Sequence, residues 1–389
     1  MAITLTNADS ALKTVYLDAI SEQLNFNVNP FWAAIEKSTE NVSGKEVKKL
    51  AIHGVNGGIG AGTEDGDLPY AAGNNYAEFV SPLKNLYGVI EISDKALRAS
   101  ENNAGAFVSL LNAEMDGLIK ASRFNFGRML FGDGSGMLAN VDFVAEGKVV
   151  VDKLDNIMEG MVIDICNGSG NVIISGRKIT SIDRAGLALD LSGDEITSEM
   201  IPDNSFVTVQ GSFRNEITGI KAIFDENITS LYGVNKEKNS WIKPYAMREL
   251  TTIDEDTIQD MLDSIEETSN SSVNFIICSF GVRKLLQKLL ANNRSYIGTM
   301  ELQGGYKAMS YNGIPIVADR FCPKGTMYFL NTNDFALHQL CDWQWLTGDD
   351  GKVLRQVPGK PIYTATLVKY AELICSRPGA QGAIVGITE

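Results

Sequence analysis

The chain has 389 residues, of which 44% are hydrophobic and 21% charged, a composition typical of a soluble globular protein with two or three domains. Its formal net charge of −14 argues against a surface that binds nucleic-acid phosphates. Five scattered cysteines without a close pair favour free thiols in a reducing compartment over a disulfide framework.

The N-terminal region shows no targeting signal. Its sequence, MAITLTNADSALKTVYL, lacks a basic head followed by an apolar block, so no signal peptide is predicted. No run in the chain approaches 18 apolar residues, so no membrane span is predicted and we expect a cytoplasmic protein. Residues 8–25 show helical spacing, and Pro30 opens a second short helix over FWAAIEKS.

A glycine-rich, acidic segment follows. Seven glycines fall between Gly54 and Gly73, and residues 54–83 contain no Lys or Arg. The flanking runs Val47–Ile52 and Phe79–Ile92 predict a long two-stranded arm. Ordering such a segment costs about 1–2 kcal/mol per residue, and a two-stranded arm is marginal alone, so we expect it to lie on a neighbouring copy of the chain. The residues predicted to make this inter-subunit contact are Glu64, Asp65, Asp67, Pro69, Tyr70 and Phe79.

The acidic tip of this arm, Glu64-Asp65-Gly66-Asp67, allows two uses besides simple solvation. Carboxylates are ligands for calcium, but the spacing does not match the EF-hand loop. An acidic tip also selects a basic patch on a neighbour and sets orientation more than affinity. The sequence does not show which basic residues the acidic tip would contact. The candidates are Lys120, Arg123 and Arg128, or Lys45, Lys48 and Lys49.

One long helix and then a segment of short strands come next. An apolar stripe predicts a helix over about 104–131, roughly 35–40 Å long at 1.5 Å per residue. Between 145 and 212, short β runs alternate with turn residues, which predicts a small inserted barrel or sandwich. This segment has eleven acidic and five basic residues and a single aromatic, Phe206, which argues against binding of single-stranded nucleic acid.

The remainder of the chain has a mixed helix and strand pattern. The predicted helices are 254–268 and 282–290, and the predicted strands are 274–278, 313–319, 326–331, 335–340 and 361–376.

The residues needed for catalysis are scarce. The two histidines, His53 and His338, lie in strand-like runs and are predicted to be packing or surface residues. No HExxH, CxxC or CxxH spacing indicates a zinc site. The glycine-rich stretches 58–62 and 132–136 lack both the Walker lysine and the last glycine of a dinucleotide-binding motif. We therefore predict no catalytic residue, no metal and no cofactor.

The order of these parts resembles that of the major capsid proteins of tailed bacteriophages, which have the Hong Kong 97-like fold. The stretch MSYNGIPIVADRFCPKGTMYFLNTNDFALH is similar to the axial-domain sequence of that family. The resemblance implies an α+β fold with a long spine helix, an extended two-stranded loop and an inserted small all-β domain. The implied segments are an N-terminal arm (1–43), an extended loop (44–92), a peripheral domain with the spine helix (93–144), an inserted β-barrel-like domain (145–212), an axial domain (213–345), and a return strand with the C-terminal segment (346–389).

The resemblance also implies a function. It predicts a structural protein, not an enzyme, that self-assembles as hexamers and pentamers into an icosahedral virion shell around double-stranded DNA, inside the host bacterial cytoplasm. The implied partner is a portal protein, and a decoration protein is a further candidate partner. Because the extended loop begins within the first fifty residues, we expect a separate scaffolding protein or none. The 54–83 segment has no lysine, so the lysine–asparagine cross-link of some relatives is not carried over.

Two alternatives stay open at this point. An encapsulin-like nanocompartment shares the fold but encloses enzymes instead of DNA. A cytosolic α/β enzyme with a β insertion belongs to a different class and would need a polar pocket with a catalytic set of side chains.

Overall fold

The computed structural model describes residues 29–95, 104–292, 298–301, 307–348 and 351–389. The helix predicted within 8–25 lies outside the described residues. The chain divides into two compact units, of which one is Gly132–Gly219 and the other combines the segments before and after it.

The described helices differ widely in length. They are α1 (Pro30–Ala34), α2 (Ala104–Leu130), α3 (Ile220–Phe224), α4 (Glu255–Ser269) and α5 (Phe280–Asn292).

The strands are numbered in chain order. The strands up to residue 209 are β1 (Glu36–Ser38), β2 (Val42–Ser43), β3 (Glu46–His53), β4 (Asn75–Pro82), β5 (Lys84–Ser93), β6 (Met137–Ala145), β7 (Lys148–Val151), β8 (Val162–Cys166), β9 (Val172–Asp183), β10 (Ala188–Leu191) and β11 (Phe206–Val209). Those that follow are β12 (Ser230–Leu231), β13 (Val234–Asn235), β14 (Tyr245–Arg248), β15 (Phe275–Cys278), β16 (Gly298–Glu301), β17 (Lys307–Tyr311), β18 (Ile314–Ala318), β19 (Thr326–Leu330), β20 (Phe335–Trp345), β21 (Arg355–Gln356), β22 (Ile362–Cys375) and β23 (Gly382–Val385).

Helix α1 shows how local chemistry limits an element. Asn29 caps it, since its Oδ1 accepts a hydrogen bond from the Trp32 N–H at 2.6 Å, and Pro30 fits the first helical position. The helix ends at Ala34, and Glu36–Ser38 instead forms β1, which pairs in parallel with β20. The predicted helix over FWAAIEKS is therefore only five residues long.

A five-stranded sheet supports the long helix α2. Strand β22 lies at its centre and pairs with β20, β21 and β5. The inward face of β5 buries Leu86, Ile90 and Ile92. Between them Gly88 lies against Leu118 of α2, at a point where a Cβ atom would be only 2.8 Å from the leucine Cδ1. Glycine thus lets the helix approach the strand closely.

The run Phe79–Ile92 is two strands instead of one. Strand β4 ends at Pro82, which has no N–H to continue the ladder, and β5 begins at Lys84. Strand β4 pairs with β3 in the arm, whereas β5 joins β22 in the five-stranded sheet. The two-stranded arm is therefore Glu46–His53 with Asn75–Pro82, and its connecting segment spans residues 54–74.

The unit Gly132–Gly219 contains a closed barrel in the strand order β10-β7-β6-β11-β8-β9. Its first strand begins at Met137, so the compact unit is wider than the predicted segment 145–212. Aliphatic side chains fill the interior. The fully or nearly fully buried members are Leu138, Ala139, Val149, Val151, Ile157, Ile163, Ile165, Ile179, Leu189, Ile196 and Val207.

A seven-stranded sheet in the order β14-β23-β19-β15-β18-β17-β16 dominates the second half of the larger unit. Helices α4 and α5 pack on one face of it, where Met261, Ile265, Val282 and Leu286 join a common apolar core. Strand β20, which lies within the predicted axial segment 213–345, belongs instead to the five-stranded sheet. Strand β23, near the C-terminus, is a member of the seven-stranded sheet.

Candidate assembly surface

The base of the arm is anchored within its own chain. Phe79 on β4 is fully buried, with its ring 5.4 Å from Tyr232 and stacked 5.9 Å from Trp241. His53 at the end of β3 also stacks on Trp241, with the ring centroids 4.3 Å apart and the ring planes nearly parallel. The Val80 N–H donates a 3.0 Å hydrogen bond to the Tyr232 carbonyl. The start of the arm is therefore held at a fixed position.

Phe79 corrects one site prediction. A side chain that is wholly covered by Tyr232 and Trp241 does not present a surface to a neighbouring molecule. Its role is to fix the base of the arm, and we remove it from the inter-subunit contact residues.

Beyond the strands, the two halves of the connecting segment stay side by side. The Asn56 side-chain amide donates to Asn74 Oδ1 at 3.0 Å, and Gly60 lies against Pro69. A turn closes the tip, where the Gly66 N–H donates to the Thr63 carbonyl at 3.1 Å. The segment is thus a narrow ribbon that continues the direction set by β3 and β4.

The ribbon exposes large apolar side chains that none of the described residues covers. Tyr70 is 96% exposed, Leu68 89% and Ile59 88%. Soluble proteins rarely leave such groups together in water unless the surface binds something. The acidic predictions Glu64, Asp65 and Asp67 and the predicted contact residue Pro69 lie in the same exposed tip.

The outer face of the arm strands continues this surface. Leu50 and Ile52 on β3 are 61% and 59% exposed, and Tyr76, which pairs with Ile52, is 55% exposed. The opposite face buries Val47, Ala51 and Phe79. The arm is therefore apolar on both faces along its base, and only one of them is covered. We call Leu50, Ile52, Val55, Ile59, Leu68, Tyr70 and Tyr76 the arm surface.

A buried lysine lies in the five-stranded sheet, and the sequence reasoning missed it. Lys369 on β22 is fully buried, and its Nζ donates to Asp342 Oδ1 at 2.5 Å and to Gln339 Oε1 at 2.8 Å. The rings of Trp32, Phe126 and Trp343 surround it at 5.5–5.9 Å. Burial lowers the pKa of Lys369, whereas Asp342 opposes that shift. Its only sequence signal was a charged residue at an inward position of an apolar strand.

A cavity of about 400 Å³ lies beside α3 and is the candidate pocket for an enzyme. Lys236 lines it, but its Nζ donates to the carbonyls of Ala222, Ile223 and Asp225 at 2.8–3.0 Å. Burial lowers the pKa of Lys236 to about 8. Arg248 at the same cavity pairs with Glu226 at 2.9 Å. The charged groups of Lys236 and Arg248 already contact other groups of the protein. They are therefore poorly available to bind a ligand in the cavity.

The histidine and cysteine side chains considered above as candidate functional groups are mostly buried in the fold. His338 is buried, with its Nδ1 3.0 Å from the Glu40 carbonyl, and burial lowers its pKa. All five cysteines are free thiols, and all but Cys341 are buried. Across the described ranges, no three His, Cys, Asp or Glu side chains lie close enough to share a metal ion. None of the described helices is long and apolar enough to cross a membrane.

Comparison with solved structures identifies the fold. The chain is similar to a capsid subunit of cyanophage A-1(L), with a TM-score of 0.54 and 12% identity over 95% of this chain and 93% of that one. It is also similar to the SrpI encapsulin of Synechococcus elongatus PCC 7942, with a TM-score of 0.50 and 9% identity over 93% of this chain and 89% of that one. No protein-family model matches the sequence. A search of curated proteins gives no match either.

These two structures are both shell subunits, and the match extends over nearly the whole of each chain. The α+β architecture described above is therefore the Hong Kong 97-like capsid fold. At such low identity the similarity establishes the fold alone, and the function has to be argued from this chain's own surfaces.

Proposed function

We propose that this chain is the major capsid subunit of a tailed bacteriophage, which self-assembles as hexamers and pentamers into an icosahedral shell around double-stranded DNA. The observation that carries the proposal is the arm surface, which is anchored at its base and uncovered at its tip. The capsid-type fold supports it, because this fold is shared with known shell subunits.

The tip of the arm needs contacts from outside its own chain to be stably ordered. Residues 54–74 bury almost nothing, so in the monomer few contacts offset the entropy cost of ordering them. Covering a residue such as Tyr70 or Leu68 on another molecule contributes about 1.5–3 kcal/mol per side chain. Repetition of this contact around a closed symmetric shell multiplies its effect. A neighbouring copy of the chain is therefore the partner we propose for the arm.

The predicted site residues take two roles in this arrangement. Pro69 and Tyr70 supply apolar contact area. Glu64, Asp65 and Asp67 select a basic region on the neighbour and so fix the orientation of the contact. An excess of negative charge also suits a shell whose contents must remain mobile, because an acidic wall does not bind phosphates.

Other partners follow from the same proposal. The shell would be completed by a portal protein and would assemble in the bacterial cytoplasm with a separate scaffolding protein or with none. A decoration protein would bind on the outside of the finished virion.

A nanocompartment that encloses protein is the second candidate, because the encapsulin similarity is close to that of the phage capsid. The contents of the particle separate the two. Particles isolated from source cells and treated with nuclease should retain double-stranded DNA of uniform length. Particles that contain a single co-purifying enzyme and no nucleic acid would establish the second candidate instead.

Assembly itself is tested on the arm. In one variant, an Asn-Gly dipeptide replaces residues 57–73 and so links Asn56 to Asn74 through a short turn. We expect its urea-unfolding midpoint to match wild type while the megadalton fraction seen by sedimentation and negative-stain microscopy disappears. Assembly of this variant into normal shells would contradict the proposed role of the arm.

Two narrower variants divide the tip between its two roles. Leu68→Ser with Tyr70→Ser removes apolar contact area and should abolish assembly. Glu64→Gln, Asp65→Asn and Asp67→Asn together remove only charge, and we expect slower assembly with malformed particles. A wild-type chain that stays monomeric with and without its scaffolding protein would overturn the shell function.

A further inference from the structure

Helices α4 and α5 carry opposite charges on surfaces that face away from the apolar core. On α4 the exposed residues Asp256, Asp260, Asp263 and Glu267 follow one another at positions i, i+4, i+7 and i+11. This spacing places all four carboxylates on one stripe of the helix. We call it the acidic stripe.

Helix α5 has the complementary surface. Arg283, Lys284 and Lys288 are exposed, and the described sequence of the helix, FGVRKLLQKLLAN, contains no acidic residue. Lys284 and Lys288 lie one turn apart on the same side. We call Lys284 and Lys288, together with Arg283 on the adjoining side of the helix beside Phe280, the basic stripe.

The two stripes do not neutralise each other within the chain. Both helices pack on the same face of the seven-stranded sheet, but α4 lies against β14 and β23, whereas α5 lies against β18. Among the described residues, no salt bridge joins a member of one stripe to a member of the other. Near the N-terminal end of α5, Glu389 accepts hydrogen bonds from Ser279 Oγ and the Gly325 N–H.

Both stripes work against the stability of their own helices. Like charges at i and i+4, such as Asp256 and Asp260 or Lys284 and Lys288, destabilise a helix. The C-terminal half of α4 carries Asp263 and Glu267 with no basic residue in its last turn, although the helix dipole favours cations there. An oppositely charged surface placed over either stripe would relieve this repulsion.

From these observations we propose that the acidic stripe of one copy docks on the basic stripe of the next copy in a ring. This inference rests on the proposed shell function and names a second surface, separate from the arm, that joins the copies. The partner is a second copy of this chain, because the chain itself carries the complementary charges at the same one-turn spacing.

The geometry gives the contact a direction. Because the acidic stripe and the basic stripe are different surfaces, each copy uses one toward each neighbour. Such head-to-tail contacts generate a ring where the rotation between neighbours closes, as in the hexamers and pentamers of the proposed shell. Salt weakens interactions between exposed charges, so ring formation should decrease as ionic strength rises.

Charge reversal in the full-length chain tests the proposal. The first variant carries Asp260→Lys, Asp263→Lys and Glu267→Lys, and the second carries Arg283→Glu, Lys284→Glu and Lys288→Glu. Each places like charges across every contact, so we expect ring and shell formation to weaken by about 10-fold to 100-fold in sedimentation velocity. A third variant with all six substitutions restores opposite charges and should assemble like wild type.

Mixing the first two variants gives a sharper result. In a mixture, each copy finds opposite charges only on a copy of the other kind. Alternating rings with an even number of subunits should therefore form from the mixture and from neither variant alone. Native mass spectrometry reads this out as equal numbers of the two chains in each ring.

The control changes the same number of exposed acids on the barrel: Asp194→Lys, Glu199→Lys and Asp203→Lys. Urea unfolding shows whether each variant is folded. If the α4 and α5 variants assemble as well as wild type, the docking inference is wrong and the shell function stands. Loss of assembly without rescue in the sixfold variant or the mixture would also overturn it, since this would mean that a different partner uses the stripes.

Discussion

The barrel and the arm are both built from β-strands, but they satisfy their polar and apolar groups in different ways. In the barrel, the strands close on themselves and the apolar side chains fill a common interior. In the arm, one face is covered and the other face, with the whole tip, is not. Strand formation alone therefore does not complete a folded unit. The barrel ends its interactions within the chain, whereas the arm leaves part of them to another molecule.

The largest change in the free energy of unfolding is expected at Asp164 in the barrel. Its Oδ1 accepts from Ser175 Oγ and the Gly176 N–H, and its Oδ2 accepts from the Gly211 N–H, each at 2.8 Å. Asp164→Ala leaves these donors without an acceptor, and we expect a loss of about 3–5 kcal/mol in the free energy of unfolding. Urea titration monitored by circular dichroism measures it.

Asp190→Ala is the matched control for that variant. Asp190 also bonds a serine, Ser181, but it lies at the barrel surface and pairs with Lys148 at 3.4 Å. An exposed pair of this kind contributes about 1 kcal/mol or less. Equal losses in the two variants would mean that the barrel does not depend on its internal polar contacts.

Phe79 at the arm base should give the next effect. Truncation of a fully buried phenylalanine costs about 3–5 kcal/mol, and here it removes contacts with Tyr232 and Trp241. We expect Phe79→Ala to lower stability toward the lower end of that range, because the arm lies at the edge of the unit. Leu50→Ala, on the exposed face of the paired strand, should leave the unfolding midpoint nearly unchanged. If the two variants behave alike, the arm base is not anchored as described.

A buried aspartate in the larger unit contrasts with Asp164. Asp319 accepts from the Phe321 N–H at 2.8 Å through Oδ1, while its buried Oδ2 has no hydrogen-bond partner among the described residues. Burial raises the pKa of Asp319 from 3.8 to about 6. The folded state therefore holds the proton more tightly than the unfolded state, and this residue's contribution to stability is lost as the pH rises from about 4 to about 6.

Asp319→Asn should remove that pH dependence. The amide keeps an acceptor for the Phe321 N–H and carries no charge, so the variant should be more stable than wild type above pH 6, by up to about 3 kcal/mol. At pH 4 the two proteins should unfold at nearly the same urea concentration. A difference between them that is constant from pH 4 to pH 8 would show that Asp319 is not the titrating group.

The sequence predicted those features that depend on neighbouring residues. The helix predicted over 254–268 is α4 at nearly its full length, and local residues account for it, since Asp254 Oδ1 accepts from the Thr257 N–H at 2.8 Å and Ile258, Met261 and Ile265 lie on one apolar side. The barrel strands after residue 145 were also predicted, because turn residues separate them. Its first strand, Met137–Ala145, was missed, because it lies almost wholly before the segment 145–212 in which the short β runs were recognised.

Features that depend on distant residues could not be predicted. Nothing near Phe79 indicates that Tyr232 and Trp241 cover it, so it was assigned to the inter-subunit contact instead of the arm base. Strand β23 pairs with β14 and β19, far from it in sequence, which local patterns do not specify. The exposed tip was predicted, because a glycine-rich acidic segment lacks the residues needed to bury itself.

The smallest effect on the monomer is expected at Tyr70, and it separates the two halves of the comparison. Tyr70 is 96% exposed, so Tyr70→Ser removes no intramolecular packing and should leave the urea-unfolding midpoint of the monomer unchanged. Because the same ring is proposed to be covered in the shell, the variant should raise the protein concentration needed for assembly. Light scattering during assembly measures that concentration. A destabilised monomer would show that the arm tip packs on its own chain, which would make the arm as self-contained as the barrel.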